Sequence, residues 1–192
     1  MTEREKMLAG ELYNVKGDQA LVDERNRCKE LCYEFNQLRP SDKEGQTELI
    51  RKLLGKTGAS FKIRASFWCC YGFNIEIGEN FYMNHNCTIM DAAKVVFGDN
   101  VFIAPGCGFH TVNHSLDMKQ RIEGLEYAKP ITVGDGVWIG AGVQVLPGVT
   151  IGAGSVIGAG SVVTRDIPCN VVAFGNPCRV TREITQNGGI ND

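Results

Sequence analysis

No stretch of this chain approaches the roughly 18 apolar residues that a membrane-spanning helix needs. There is no long basic run and the net charge is −2, which argues against nucleic acid or an anionic membrane surface as the main partner. The opening MTEREKMLAGEL is charged and lacks the apolar core of a secretory signal, so the expected location is cytoplasmic. In that compartment the eight cysteines are expected as free thiols rather than disulfides. Cys28 and Cys32 lie four apart and Cys69 and Cys70 are adjacent. Neither pattern has the Cys-x-x-Cys spacing of zinc sites, so these thiols read as small buried hydrophobes and no metal is expected. Histidine is scarce, with only His85, His110 and His114 available for acid–base work.

What is present is a period. Val133, Ile139, Val145, Ile151, Ile157 and Val163 recur every sixth position, and Gly134, Gly140, Gly152 and Gly158 directly follow four of them. No α-helix or ordinary sheet has a six-residue period, and a hexapeptide repeat implies a parallel β-helix. Each flat sends one aliphatic side chain inward, worth roughly 1.5–3 kcal/mol on burial. The neighbouring glycine is expected to permit a tight corner. Ile77, Met83 and Ile89 keep step with one another; Phe97, Ile103 and Phe109 keep step after a two-residue slip. Three hexads make a triangular coil, so residues 60–175 should supply about five coils. Residues 111–130, TVNHSLDMKQRIEGLEYAKP, break the period and read as an unpatterned extruded loop, the kind that usually serves function.

Residues 1–58 read as a helical domain ahead of a repeat domain, 59–192. Leu21, Arg25, Cys28, Leu31, Cys32, Phe35 and Leu38 step by three and four along one mostly apolar helix face, ended by Pro40. Ser41-Asp42-Lys43-Glu44 has the form of a capping box for a following helix whose apolar face is Leu49, Ile50, Leu53 and Leu54.

Several segments together, MLAGELY, ERNRCKELCYEFN, YGFNIEIGENFYMNHNCTIMDA, TVNHSLD and the run from GLEYAKPITVGDGVWIG to GNPCRV, make the chain resemble the maltose and galactoside O-acetyltransferases of the hexapeptide-repeat acyltransferases, the maltose enzymes most closely. The resemblance implies a mainly β fold: a left-handed parallel β-helix with a small α-helical N-terminal domain. It implies a homotrimer with active sites between subunits, acetyl-CoA as co-substrate and a small sugar as acceptor.

Acetyl transfer from a thioester needs a base, an oxyanion donor and a place for coenzyme A; thiolate leaves readily, so direct attack suffices. Imidazole titrates at about 6.5 and can accept a proton near neutrality. His114 lies in the polar loop, and the resemblance makes it the general base, while His110, beside Phe109, reads as structural. By resemblance, Asn84 holds the acceptor hydroxyl, with Tyr82 and Asp91 beside it; Asp91 binds sugar, orients His114, or, as an Asp at a coil corner, is purely structural. Cys70 replaces an Asp or Ser that relatives more often carry, and a thiol is a weak hydrogen-bonding group. Ala92 and Glu126 tilt the comparison towards glucosides. Asn14, Asp18 and Arg25 are further acceptor candidates from the helical domain. For acetyl-CoA the candidates are Trp138, Ala141 and Ala159, with Thr164, Arg165, Arg179 and Arg182 expected as one phosphate-binding cluster. A backbone N–H near Gly140–Ala141 is the oxyanion candidate. Two readings of other classes compete: a γ-carbonic-anhydrase-like zinc enzyme using the three histidines, and a non-enzymatic trimeric scaffold.

Overall fold

A computed structural model describes residues 1–185 of the chain. The helical segment opens with α1 (Glu3–Ala9), a single 3-10 turn at Val15–Gly17, α2 (Gln19–Gln37) and α3 (Lys43–Leu53). In α2 the buried positions are Leu21, Cys28, Cys32 and Phe35, the predicted stripe. α3 starts differently from expectation. Its cap is Asp42, whose carboxylate accepts the Gly45 N–H at 3.0 Å, so the Ser41 box is replaced by a simple one-residue cap.

From Phe61 onward the backbone winds as a β-solenoid of about six turns with three faces. The first face stacks Phe61–Ile63, Phe81–Met83, Phe102–Ile103, Trp138–Ile139, Val156–Ile157 and Val171–Gly175 in parallel, and Cys178–Glu183 closes it antiparallel. The second face stacks Phe67–Cys69, Cys87–Met90, Gly108–His110, Gln144–Val145 and Val162–Val163. The third stacks Ile75–Ile77, Val95–Phe97, Ile131–Val133 and Thr150–Ile151. The first face therefore has a sixth rung, Val171–Gly175, beyond the five expected coils.

The coils are of two sizes. Phe61 pairs with Phe81 and Ile75 with Val95, twenty residues on, whereas Trp138 pairs with Val156 and Thr132 with Thr150, eighteen on. The two extra residues sit at the corner between the second and third faces, where Cys69 precedes Ile77 by eight residues and Ile89 precedes Phe97 by eight. A wider coil needs bulkier filling, and it receives Phe81, Phe97 and Phe109 as a tilted and edge-on stack with centroids 5.1 and 4.9 Å apart. The narrower coils close mainly on Val and Ile, with the small Ser155, Ser161 and Ala173 also buried.

The glycines divide their work in a way the repeat alone does not reveal. The corners are turned in the left-handed region by residues further along, such as Gly142 at φ 70°. The glycine directly after each core residue is needed instead for coil-to-coil approach: a Cβ on Gly152 would lie 2.5 Å from Cys169 N and 2.6 Å from Pro168 C. Gly152→Ala is accordingly expected to cost about 1–3 kcal/mol through backbone displacement. Thermal unfolding of the variant checks this; an unchanged melting temperature would contradict the close-approach reading.

Candidate active site

Residues 111–130 are not unpatterned. They leave the widened corner as an antiparallel hairpin, Val112–His114 against Glu126–Ala128, with a short helix α4 (Met118–Ile122) capped by Asp117 at its tip. Thr111 roots the hairpin: its hydroxyl donates to Met90 O at 2.6 Å and accepts the Ala93 N–H at 3.0 Å. The helical segment holds the other strand. Tyr13 exchanges both backbone hydrogen bonds with Glu126 at 2.9 Å, and its hydroxyl donates to Glu126 Oε2 at 3.0 Å. Burial, then the Glu126 charge, pushes the Tyr13 phenol well above its ordinary range, so it stays a donor. Met7, Tyr13, Val15, Leu21, Tyr71, Ala92 and Ala128 form a small second core beneath this junction.

His114 and Glu126 face each other across the hairpin, with His114 Nε2 4.0 Å from Glu126 Oε1. The imidazole is 58% exposed, so a substrate can reach it. His110 is fixed by Gln144 Oε1 at 2.8 Å, and His85 is bound through Nδ1 to Ala65 O. Among the described residues no set of three or more metal-ligating side chains within one chain includes a histidine.

Of the readings open for Asp91, the geometry fits the structural one. It is fully buried and turned into the widened corner, where it accepts the N–H groups of Cys70 and Tyr71 at 2.9 Å and of Gly72 at 2.7 Å. Burial pushes its carboxyl up to about 7, and the backbone donors pull against that shift. Its function is to satisfy a corner whose backbone has no neighbouring strand to pair with. Beside it, Cys70 is half-buried with Sγ 3.7 Å from Met90 Sδ, and burial pushes its thiol up to about 12, so it remains neutral. Arg25, on α2, lies close enough to oppose that shift. Asn14 and Asp18 spend their side-chain oxygens on turns: Asn14 accepts the Lys16 N–H at 3.0 Å while donating to Glu123 O at 2.9 Å, and Asp18 caps α2.

A second group occupies a different corner, between the first and second faces. Asn84 sits there, accepting the His85 N–H at 2.8 Å. Above it the chain climbs by Gly106 N–H to His85 O, Gly142 N–H to Pro105 O and Gly160 N–H to Ala141 O, so Asn84, Ala141 and Ala159 share one ladder. Ala141 and Ala159 are exposed. The Gly140 N–H is taken by Ile157 O at 2.8 Å, which leaves the Ala141 N–H as the oxyanion candidate of the pair. On the adjoining first face Tyr82, Phe102, Trp138, Val156 and Val172 align outward in register, with Trp138 55% exposed.

Within one chain, then, Asn84 and His114 stand on different corners. The expected basic residues sit on two elements: Thr164 and Arg165 follow the second-face strand Val162–Val163, and Arg179 and Arg182 lie on Cys178–Glu183, which pairs with the first face and packs against Val162–Val163. Six residues advance the chain by one flat, which sets Asn84 and His114 on different corners. Among the described residues no carboxylate pairs with Arg179 or Arg182.

Comparison with known proteins fits this geometry. Residues 6–58 match the maltose acetyltransferase hexapeptide capping motif, and residues 130–165 match the bacterial transferase hexapeptide family as six repeats. The Saccharomyces cerevisiae protein YJL218W, named as a candidate acetyltransferase, is 54% identical over 95% of this chain and 93% of its own. The chain is a hexapeptide-repeat acetyltransferase. This acetyltransferase superposes on a maltose O-acetyltransferase from Clostridium difficile with TM-score 0.95 at 46% identity, over 97% of this chain and 99% of that one. A galactoside acetyltransferase solved in complex with coenzyme A gives TM-score 0.93 at 46% identity, over 96% and 92%. The capping motif coincides with the segment that pins Glu126 through Tyr13, so in this acetyltransferase the helices serve to position the hairpin. Membership in an enzyme family weighs against the scaffold reading. Among the described residues no helix is long and apolar enough to cross a membrane.

Proposed function

We propose that the chain transfers acetyl from acetyl-CoA to a sugar hydroxyl, C6 of maltose or glucose being the preferred acceptor. The observation that carries this reading is His114, exposed on a hairpin that Tyr13 and Thr111 hold rigidly at the widened corner. The similar C. difficile structure is of a maltose O-acetyltransferase, and the galactoside relative was solved with coenzyme A.

The site is completed in a homotrimer. The His114 corner of one subunit meets the Asn84–Ala141–Ala159 corner of its neighbour, which explains why a single chain holds the two halves apart. Arg179 and Arg182 bind phosphates of coenzyme A from the first-face side, and Trp138 lines the path of the pantetheine. His114 Nε2 takes the proton of the sugar hydroxyl as its oxygen attacks the thioester carbonyl carbon. The tetrahedral oxyanion is held by the Ala141 N–H, a donor worth roughly 3–4 kcal/mol when preorganised. Collapse breaks the C–S bond, and the departing thiolate recovers the proton from the imidazolium. Asn84, Tyr82 and Cys70 orient the acceptor, and Glu126 stabilises the imidazolium across the hairpin. No step needs a metal or an acyl-enzyme.

Release of free thiol from acetyl-CoA, measured with maltose, glucose, a β-galactoside, a chitooligosaccharide and water, tests the reading. Release dependent on a glucoside supports it. Preference for the galactoside would move the acceptor to the second solved relative's class, and release with no sugar at all would overturn it. Arg179→Ala and Arg182→Ala are each expected to raise the KM for acetyl-CoA about tenfold, the loss of one charged hydrogen bond, while leaving the sugar KM nearly unchanged. The reverse ordering would place the phosphates elsewhere.

A further inference from the structure

Three of the eight cysteines converge on one point away from the hairpin. Cys28 and Cys32 are one turn apart on the buried face of α2, and Cys69 reaches them from the first rung of the second face. Cys28 Sγ lies 3.4 Å from Cys69 Sγ, Cys32 Sγ lies 3.8 Å from it, and all three sulfurs fall within 4.8 Å of one another. All are buried, at 1%, 0% and 7% exposure. The place of Cys69 is notable because the same inward column continues through Ile89, Phe109, Val145 and Val163. The thiol interrupts this apolar column at the rung that meets the two α2 thiols.

We propose that Cys28, Cys32 and Cys69 form a structural zinc site that ties α2 to the first coil. Zinc takes thiolates at about 2.3 Å, which sets two sulfurs on one tetrahedral ion about 3.8 Å apart. The sulfurs already stand near that spacing, far beyond the roughly 2.05 Å of a disulfide. Three thiolates fill three of four positions, and the Cys69 carbonyl oxygen lies 3.3 Å from Cys28 Sγ as a further oxygen donor at the cluster. A divalent ion leaves one net negative charge in this buried place where copper(I) would leave two, so zinc is the better compensated occupant. Because the site is closed, loading accompanies folding. It is independent of the acetyl-transfer reading.

The test is elemental analysis of the full chain, purified without a histidine tag under reducing conditions from zinc-supplied cells. Cys69→Ser and the exposed-thiol control Cys169→Ser are purified beside it. About one zinc per chain is expected in the parent and in Cys169→Ser, with at least a tenfold drop in Cys69→Ser, since two thiolates do not make a structural site. Protein from cobalt-supplied cells should show thiolate-to-cobalt charge-transfer absorption. Zinc at background in the parent, or equal zinc in Cys69→Ser, would overturn the proposal. So would copper in zinc's place, or a mass lower by two hydrogens, which would make the cluster a disulfide pair.

Discussion

His114→Ala is expected to melt with the parent protein and to lose at least about 10²-fold in kcat, or roughly 2.7 kcal/mol of transition-state stabilisation. The first half follows from where the side chain sits. It is 58% exposed and faces Glu126 at 4.0 Å without a shared short hydrogen bond. The hairpin is held by other groups: the backbone pairing of Val112–His114 with Glu126–Ala128, the Tyr13 bridge and the Thr111 hydroxyl. Truncating the imidazole removes none of them. The second half follows from the proton. Without a base, the hydroxyl must attack while still protonated or lose its proton to water. The KM for acetyl-CoA should hold, because the proposed phosphate groups lie on another face. Near-native turnover in the variant would remove His114 from the base role and leave the hairpin as a positioning device. Collapse of the fold would show instead that the ring packs against a neighbouring subunit.

The repeat made most of the solenoid legible, since a six-residue period of inward aliphatics has one economical solution, and the column Met83, Ile103, Ile139 and Ile157 follows it rung by rung. Less visible was what happens at corners. The slip between Ile89 and Phe97 was readable as a count, and its meaning is a corner widened by two residues from which the hairpin later springs. The spacing of eight between Cys69 and Ile77 carries the same signal one coil earlier. The sequence left Asp91 open between ligand and structure because an acidic residue in a sugar-enzyme motif suggests ligand, whereas a widened corner strands backbone N–H groups that need an internal acceptor, and the geometry fits the second. The cysteine cluster escaped a spacing test because its third member arrives from another element, and no local motif records contacts made by folding.

Asp91→Ala is expected to lower the melting temperature more than any substitution on the hairpin. The change orphans the N–H groups of Cys70, Tyr71 and Gly72 in a site with no access to water. At about 1 kcal/mol or more each, the loss is about 3 kcal/mol, a large part of the roughly 5–15 kcal/mol that holds a domain together. For a chain of this size that is a fall of roughly 6–12 °C. Gly72 makes relief by movement difficult: it turns at φ 79° and a Cβ there would lie 2.2 Å from Leu53 O. Asp91→Asn separates charge from shape. Burial raises the folded carboxyl to about 7, above the roughly 3.9 of an unfolded aspartate. Between those values the folded state binds the extra proton, so this residue stabilises most below about pH 4 and loses that contribution as pH rises through about 7. The parent should therefore exceed Asp91→Asn in melting temperature by most at acid pH, with the gap narrowing towards about pH 8. A gap independent of pH would mean that the three N–H donors balance burial and leave the folded carboxyl at its unfolded pKa. A gap that widens with pH would mean that they depress its pKa, and the corner would then be an anion site in its own right.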